Sequence, residues 1–192
     1  MKTLAILVEG PRDEAVYPAL IKQIRPDLET VLPLVYWGLP RLRKRFVEGL
    51  WYFDNHWEHK VEKALVIRDS DGGDPKSKED ELAEIYTHSG FHPKFDVHFH
   101  ATPCMIETWL LADEGAVCRV ARGRGKTPKV MSINKALEEI KDAKAPFRRM
   151  LSQAGLLDDN QVCKEIAEAA DLGRISERCP YFRKFCERVH AC

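Results

Sequence analysis

Two sets of carboxylates define the chemistry open to this chain. Glu9 and Asp13 flank Gly10, and Asp69 and Asp71 form an Asp-x-Asp followed by Gly72 and Gly73. Ionised carboxylates gathered within a few ångströms repel one another. A hard divalent cation relieves that repulsion, and an all-oxygen donor set suits Mg2+ or Mn2+, which also bind substrate phosphates. Glycine beside an acid lets a phosphate backbone approach closely. The chemistry on offer is metal-assisted reaction at a phosphate ester. A plainer account uses the same residues: solvated acids in strand-end turns, with Asp71-Gly72 as a turn signal.

The choice depends on the elements that carry the acids. Thr3–Val8 is a short, continuously apolar run ending at Glu9-Gly10, as a buried parallel strand would. Asp13 to Ile24 reads as a helix with Val16, Leu20, Ile21 and Ile24 on one face, stopped by Pro26. Val31–Trp37 is β-branched and apolar and reads as a second strand, with Pro33 counting against it. A long helix follows over Pro40–Lys60, with Leu42, Phe46, Leu50, Phe53 and Trp57 on its apolar face. Ala64–Ile67 is the third strand, and it ends in Arg68-Asp69-Ser70-Asp71. A helix capped by Ser77 runs to His88, and Lys94–Ala101 alternates as a fourth strand.

This βαβαβαβ order implies an α/β fold with a mostly parallel sheet over residues 1–115. Residues 116–192 read as a helical extension packed on the same domain, with helices at Ile133–Lys141, Phe147–Gln153, Val162–Ala170 and Arg174–Val189. Arg119–Lys129 reads as a loop. Ligands of parallel sheets bind outside the carboxyl ends of the strands. Neighbouring first and third strands would therefore bring Glu9, Asp13, Asp69 and Asp71 to one edge.

Three segments carry a resemblance. Leu4–Glu14 resembles the first Toprim motif, an apolar strand ending in Glu-Gly with an acid soon after, and Val66–Asp71 resembles the Toprim Asp-x-Asp motif. Pro103–Asp113, with Glu107, Trp109 and Asp113, resembles the Glu-x-Trp-Leu-x-x-Asp signature of small bacterial Toprim-like proteins related to the overcoming-lysogenization-defect nucleases. The resemblance implies a Toprim-like, Rossmann-like fold. It further implies an Mg2+- or Mn2+-dependent nuclease that hydrolyses phosphodiesters of DNA or RNA, in bacterial defence or repair. Glu9, Asp69 and Asp71 would then be catalytic, and Glu9, Asp13, Asp69, Asp71 and Glu107 would hold metal. The ATPase half of full-length relatives is absent from these residues, so an ATPase, if the activity needs one, would come from a separate partner chain. Lys126, Lys129 and Lys135 are all candidates for a catalytic lysine, and the sequence singles out none of them. Two other readings stay open: a non-catalytic Toprim-like subunit that binds nucleic acid or a partner, and a phosphoesterase for a small nucleotide.

Composition fits these readings without selecting one. The 192 residues carry 30 Lys+Arg and 30 Asp+Glu, so the chain is not a wholly cationic nucleic-acid binder. The cancellation hides local runs. Residues 69–84 hold seven acids and two lysines, while residues 119–129 hold five basic groups and no acid. Arg41, Arg43 and Arg45 near a helix start, and Arg122, Arg124 and Lys126 in the basic run, are candidate nucleic-acid contacts. A solvated basic face is the alternative for either run. Trp51, Tyr52, Phe53 and Trp57 read mainly as a packing stripe, and Trp109 as packing beside Glu107.

Three further patterns are set aside. Gly125-Lys126-Thr127 lacks the earlier glycine of a P-loop, since Val120 stands there. Asp74 and Asp80 occupy the Gly and Glu positions of an EF-hand loop begun at Asp69. The six cysteines form no CxxC and are expected as reduced thiols. No apolar run approaches the ~18–20 residues of a membrane span, and no signal-peptide pattern precedes Glu9, so a cytoplasmic protein is expected.

Overall fold

The computed structural model describes residues 2–56, 61–70, 72–133 and 135–192. Its centre is a four-stranded, all-parallel sheet in the order β2-β1-β3-β4, with β1 Thr3–Val8, β2 Thr30–Val35, β3 Lys63–Asp69 and β4 Asp96–Thr102. Every residue of β1 is buried, as expected of an inner strand of a sheet covered on both faces. Pro33 lies in β2, at the sheet edge, where a residue without an N–H costs no ladder bond on the open side.

Helices α1 (Pro11–Ile24), α2 (Leu39–His56) and α3 (Pro75–His88) connect the strands. The two sheet faces have separate cores. Ala5, Leu7 and Val66 pack with Leu42, Phe46, Leu50 and Phe53 of α2 and Leu82 of α3. Leu4, Ile6 and Val8 pack with α1 and the C-terminal helices. Each Leu, Ile or Phe fully withdrawn from water contributes about 1.5–3 kcal/mol of transfer free energy. The apolar spacing that predicts α2 therefore also selects the sheet face it covers. Trp57, the last residue of that predicted stripe, lies outside the described residues.

After β4 the chain is helical: α4 Ile106–Ala112, α5 Glu114–Gly123, α6 Lys144–Ala154, α7 Asn160–Glu168, α8 Leu172–Arg178 and α9 Pro180–Ala191. Trp109 of α4 is the anchor of this layer. It is fully buried, edge-on to Tyr17 at 6.0 Å and packed on Phe182 and Phe185 at 5.0 Å each. Residues from before and after position 115 share this core. Among the described residues no helix is long and apolar enough to cross a membrane.

Several local expectations are corrected. Arg119–Lys129 is not all loop, because Val117, Val120 and Ala121 give α5 a buried face up to Gly123. Where a helix is expected over Ile133–Lys141, the described residues form a short 3-10 turn at Leu137–Glu139, with Leu137 the residue buried there. The long C-terminal helix is two, divided at Cys179-Pro180, with Pro180 at the start of α9, where its missing N–H is harmless. Helix α3 is capped by Asp74, which accepts from Ser77 N–H at 2.9 Å, rather than by Ser77 itself.

Candidate functional site

Strand order places the sequence-predicted acids. The chain leaves β1 toward β2 on one side, while β3 lies on the other, so the β1–β3 boundary is where an open α/β sheet forms its ligand crevice. Glu9 follows β1 and Asp69 ends β3 at that boundary. The backbone N–H of Asp69 donates to Glu9 Oε1 at 2.9 Å. A cleft of about 500 Å3 opens there, and its lining includes Glu9, Asp13, Asp69 and Glu107. Four of the five predicted metal-binding residues therefore share one cavity, and the fifth, Asp71, lies outside the described residues.

Each acid is held differently. Asp13 sits in the first turn of α1 and accepts from Gly10 N–H at 2.9 Å, closing the helix N-terminus. Burial raises its carboxyl from 3.8 to about 7; the Gly10 hydrogen bond opposes the rise, and the charges of Glu9 and Glu107 add to it. Glu107, on the first turn of α4 and 2% exposed, is ion-paired with Arg12 at 2.7 Å. The other end of the Arg12 guanidinium meets Asp158 at 2.5 Å, and Arg148 holds the second Asp158 oxygen at 2.7 Å. Glu107 is thus committed to a charge network. Among the described residues no three His, Cys, Asp or Glu side chains already stand as a ready-made metal cage.

The third sequence signature resolves into separate structural duties. Glu107 takes Arg12, Trp109 fills the core, and Asp113 caps α5 by accepting from Ala116 N–H at 3.2 Å. Asp113 also accepts from Asp171 N–H and from Arg119, each at 2.9 Å, which ties α5 to the start of α8.

The cations of the cleft were not evident from sequence. Arg12, Lys144 and Arg148 line it, and Lys126, Lys129 and Lys135 are absent from its described lining. Lys144 and Arg148 both lie on exposed positions of α6. Lys144 also opposes the rise of the Asp13 carboxyl. No short-range signal announces them, because they lie on a helix more than 130 residues after Glu9.

The expected segregation of charge is only partial. Arg43 pairs with Glu81, Arg45 with Glu48 at 2.7 Å, Arg119 with Asp113, and Arg124 with Glu165 at 2.8 Å. Part of the cancellation is therefore between neighbours. Arg41, Arg43 and Arg45 are nevertheless on the outer side of α2, beside an exposed aromatic surface, and Arg122, Arg124 and Lys126 are exposed around the end of α5. His98 and His100 share one face of β4. His100 is buried against Phe185 at 5.4 Å with Glu79 at 3.5 Å, away from the acid cleft.

A family model described as Domain of unknown function (DUF4276) matches residues 8–190. No curated protein sequence matches the chain. Among solved structures, the C-terminal region of the Xanthomonas campestris pv. campestris OLD protein superposes with a TM-score of 0.49 at 13% identity, over 97% of this chain and 93% of that one. The C-terminal region of the Burkholderia pseudomallei OLD protein gives a TM-score of 0.44 at 13% identity, over 97% and 99%.

Proposed function

We propose that this chain, which belongs to the DUF4276 family, is a divalent-metal-dependent phosphodiesterase acting on nucleic acid through a Toprim-like site. The observation that carries the reading is that Glu9 and Asp69, sixty residues apart in sequence, both line the sheet's ligand crevice, where the Asp69 backbone N–H donates to Glu9 Oε1 at 2.9 Å. Support also comes from the Toprim-like motifs that contain these two acids.

The donor chemistry fits Mg2+ or Mn2+. The acids lining the cleft offer oxygen alone, and burial already disfavours charge on Asp13, which a cation would offset. Glu9 and Asp69 would hold the ion, with Asp13 beside them and Asp71 as a further candidate. Glu107 would act chiefly by fixing Arg12. The bound cation supplies Lewis-acid stabilisation of the phosphate and a more acidic water. The chain supplies the rest. Lys144 and Arg148 at the mouth attract and orient the phosphodiester anion, and the Arg12–Glu107–Asp158 network keeps α1, α4 and the segment before α7 in register around the cleft.

The test is cleavage of single-stranded DNA, duplex DNA and tRNA with Mg2+ or Mn2+ by wild type, Glu9→Gln, Asp69→Asn and Asp71→Asn. The reading requires a metal-dependent product lost in the first two variants. Equal cleavage by all four proteins refutes it. A second reading, a non-catalytic binding subunit, draws on the Arg12–Glu107 pair, which occupies one cleft acid. It predicts nucleic-acid retention without cleavage in any metal. Turnover of small nucleotides alone would mark the phosphoesterase alternative.

A further inference from the structure

Trp37 combines two unfavourable features in one place. Among the described residues it is the one non-glycine with positive φ, at 58°. That conformation is an outlier for a bulky side chain, which crowds its own backbone there. Its ring is also 66% exposed, so burial does not compensate the strain. The conformation is enforced from both sides. Tyr36 N–H donates to Val8 O at 3.1 Å, and Gly38 N–H donates to Glu9 O at 2.8 Å. The backbone around Trp37 is therefore fastened to the residue that carries the first acid. Glycine or asparagine would meet the same backbone demand with less strain and less exposed apolar surface. Strain that persists where it does not help folding is characteristic of functional sites.

The surroundings identify what the ring would meet. Trp37 lines the acid cleft and also an adjoining groove of about 340 Å3 lined by Tyr52, Arg41 and Arg45. Arg41 is exposed and makes no ion pair with any described residue. An aromatic face thus lies between the carboxylates and a surface carrying arginine. A chain of alternating bases and phosphates fits that order. One phosphate would lie in the cleft, a base on the indole, and a following phosphate near Arg41. Bases in a duplex are already stacked on each other and do not present a face to such a ring, whereas an unpaired base does.

We propose that Trp37 is a stacking platform for an unpaired nucleobase at the edge of the carboxylate cleft, making single-stranded nucleic acid the preferred ligand. This inference rests on the phosphodiester reading of the cleft. Sequence-tolerant stacking of this kind contributes about 1–3 kcal/mol per base. Its loss therefore corresponds to roughly 5- to 150-fold in affinity.

The test is fluorescence anisotropy in EDTA with labelled oligothymidylate, oligouridylate and a duplex of equal length. Trp37→Ala is expected to lower the single-strand-to-duplex affinity ratio by roughly 5- to 150-fold, with Trp37→Phe staying near wild type. Trp37→Gly, whose backbone suits the positive φ, guards against misfolding; it should melt no lower than Trp37→Ala and lose the same preference. Three outcomes overturn the inference: wild type binds neither single strand, the alanine variant keeps the wild-type ratio, or Trp37 proves to matter only for self-association. Hydrolysis of bis(4-nitrophenyl) phosphate by wild type with Mn2+ tests the phosphodiester reading separately. Hydrolysis with an unchanged binding ratio would remove the stacking role alone. A Trp37-dependent ratio without hydrolysis would remove the catalytic reading alone.

Discussion

Asp13→Asn should make the metal-free protein more stable at neutral pH, which few changes to a half-buried charged residue do. In the folded chain the Asp13 carboxyl is raised from 3.8 to about 7, chiefly by burial and further by Glu9 and Glu107. The folded state therefore keeps a proton that the unfolded chain releases between those values. Stability is lost as pH rises from about 4 to about 7, and the loss is complete above that range. At about 1.36 kcal/mol per pKa unit, the full penalty is at most about 4 kcal/mol. Asparagine removes the charge and keeps an oxygen to accept from Gly10 N–H, so the helix cap survives. Urea unfolding in EDTA should show Asp13→Asn near wild type at pH 4 and more stable by up to about 4 kcal/mol at pH 8. Mn2+ at pH 8 should then stabilise wild type more than the variant. A variant that is no more stable than wild type at pH 8, or whose difference is the same at both pH values, refutes the reasoning.

Other consequences follow from single contacts. Arg12→Met leaves the buried Glu107 without its partner and should cost about 3 kcal/mol in urea unfolding, with much of it recovered in Arg12→Met/Glu107→Leu. Asp113→Ala removes the α5 cap and the acceptor for Asp171 N–H, and should cost about 2 kcal/mol, seen as a lower Tm. Gly49→Ala would place a methyl group onto the Tyr36 hydroxyl and at 2.8 Å from Leu34 and 3.0 Å from Leu7, and should cost about 1–3 kcal/mol in the same assay.

The parts of the fold legible in the sequence are those fixed by local pattern. The apolar run before Glu9 could hardly be other than an inner strand, and the Leu42–Phe53 stripe has one helical face. The acid positions followed from the same runs, because a parallel strand delivers whatever ends it to the ligand edge. Structure departs from the local pattern where tertiary contact competes with it. Ile133, Leu137 and Ile140 have helical spacing, yet only Leu137 is buried in the short turn found there. The basic run of 119–129 has loop composition, yet the core claims Val117, Val120 and Ala121 and so extends α5 into it. Ser77 looked like a cap, but Asp74 followed by Pro75 is the better start signal. Trp37 read as the end of a strand, since a backbone held at positive φ by bonds to Val8 and Glu9 leaves no trace in composition. Arg12 and Glu107 gave no hint of each other across 95 positions.

Mn2+ binding followed by the spectrum of the free ion, at pH 8 and without substrate, tests the central claim most directly. Wild type should bind Mn2+, and Glu9→Gln and Asp69→Asn should each weaken that binding by at least about 10-fold, an effect already expected for loss of a group that only orients a ligand. Mn2+ binding of equal strength in all three proteins, or no binding by wild type, would contradict a metal-dependent site between β1 and β3.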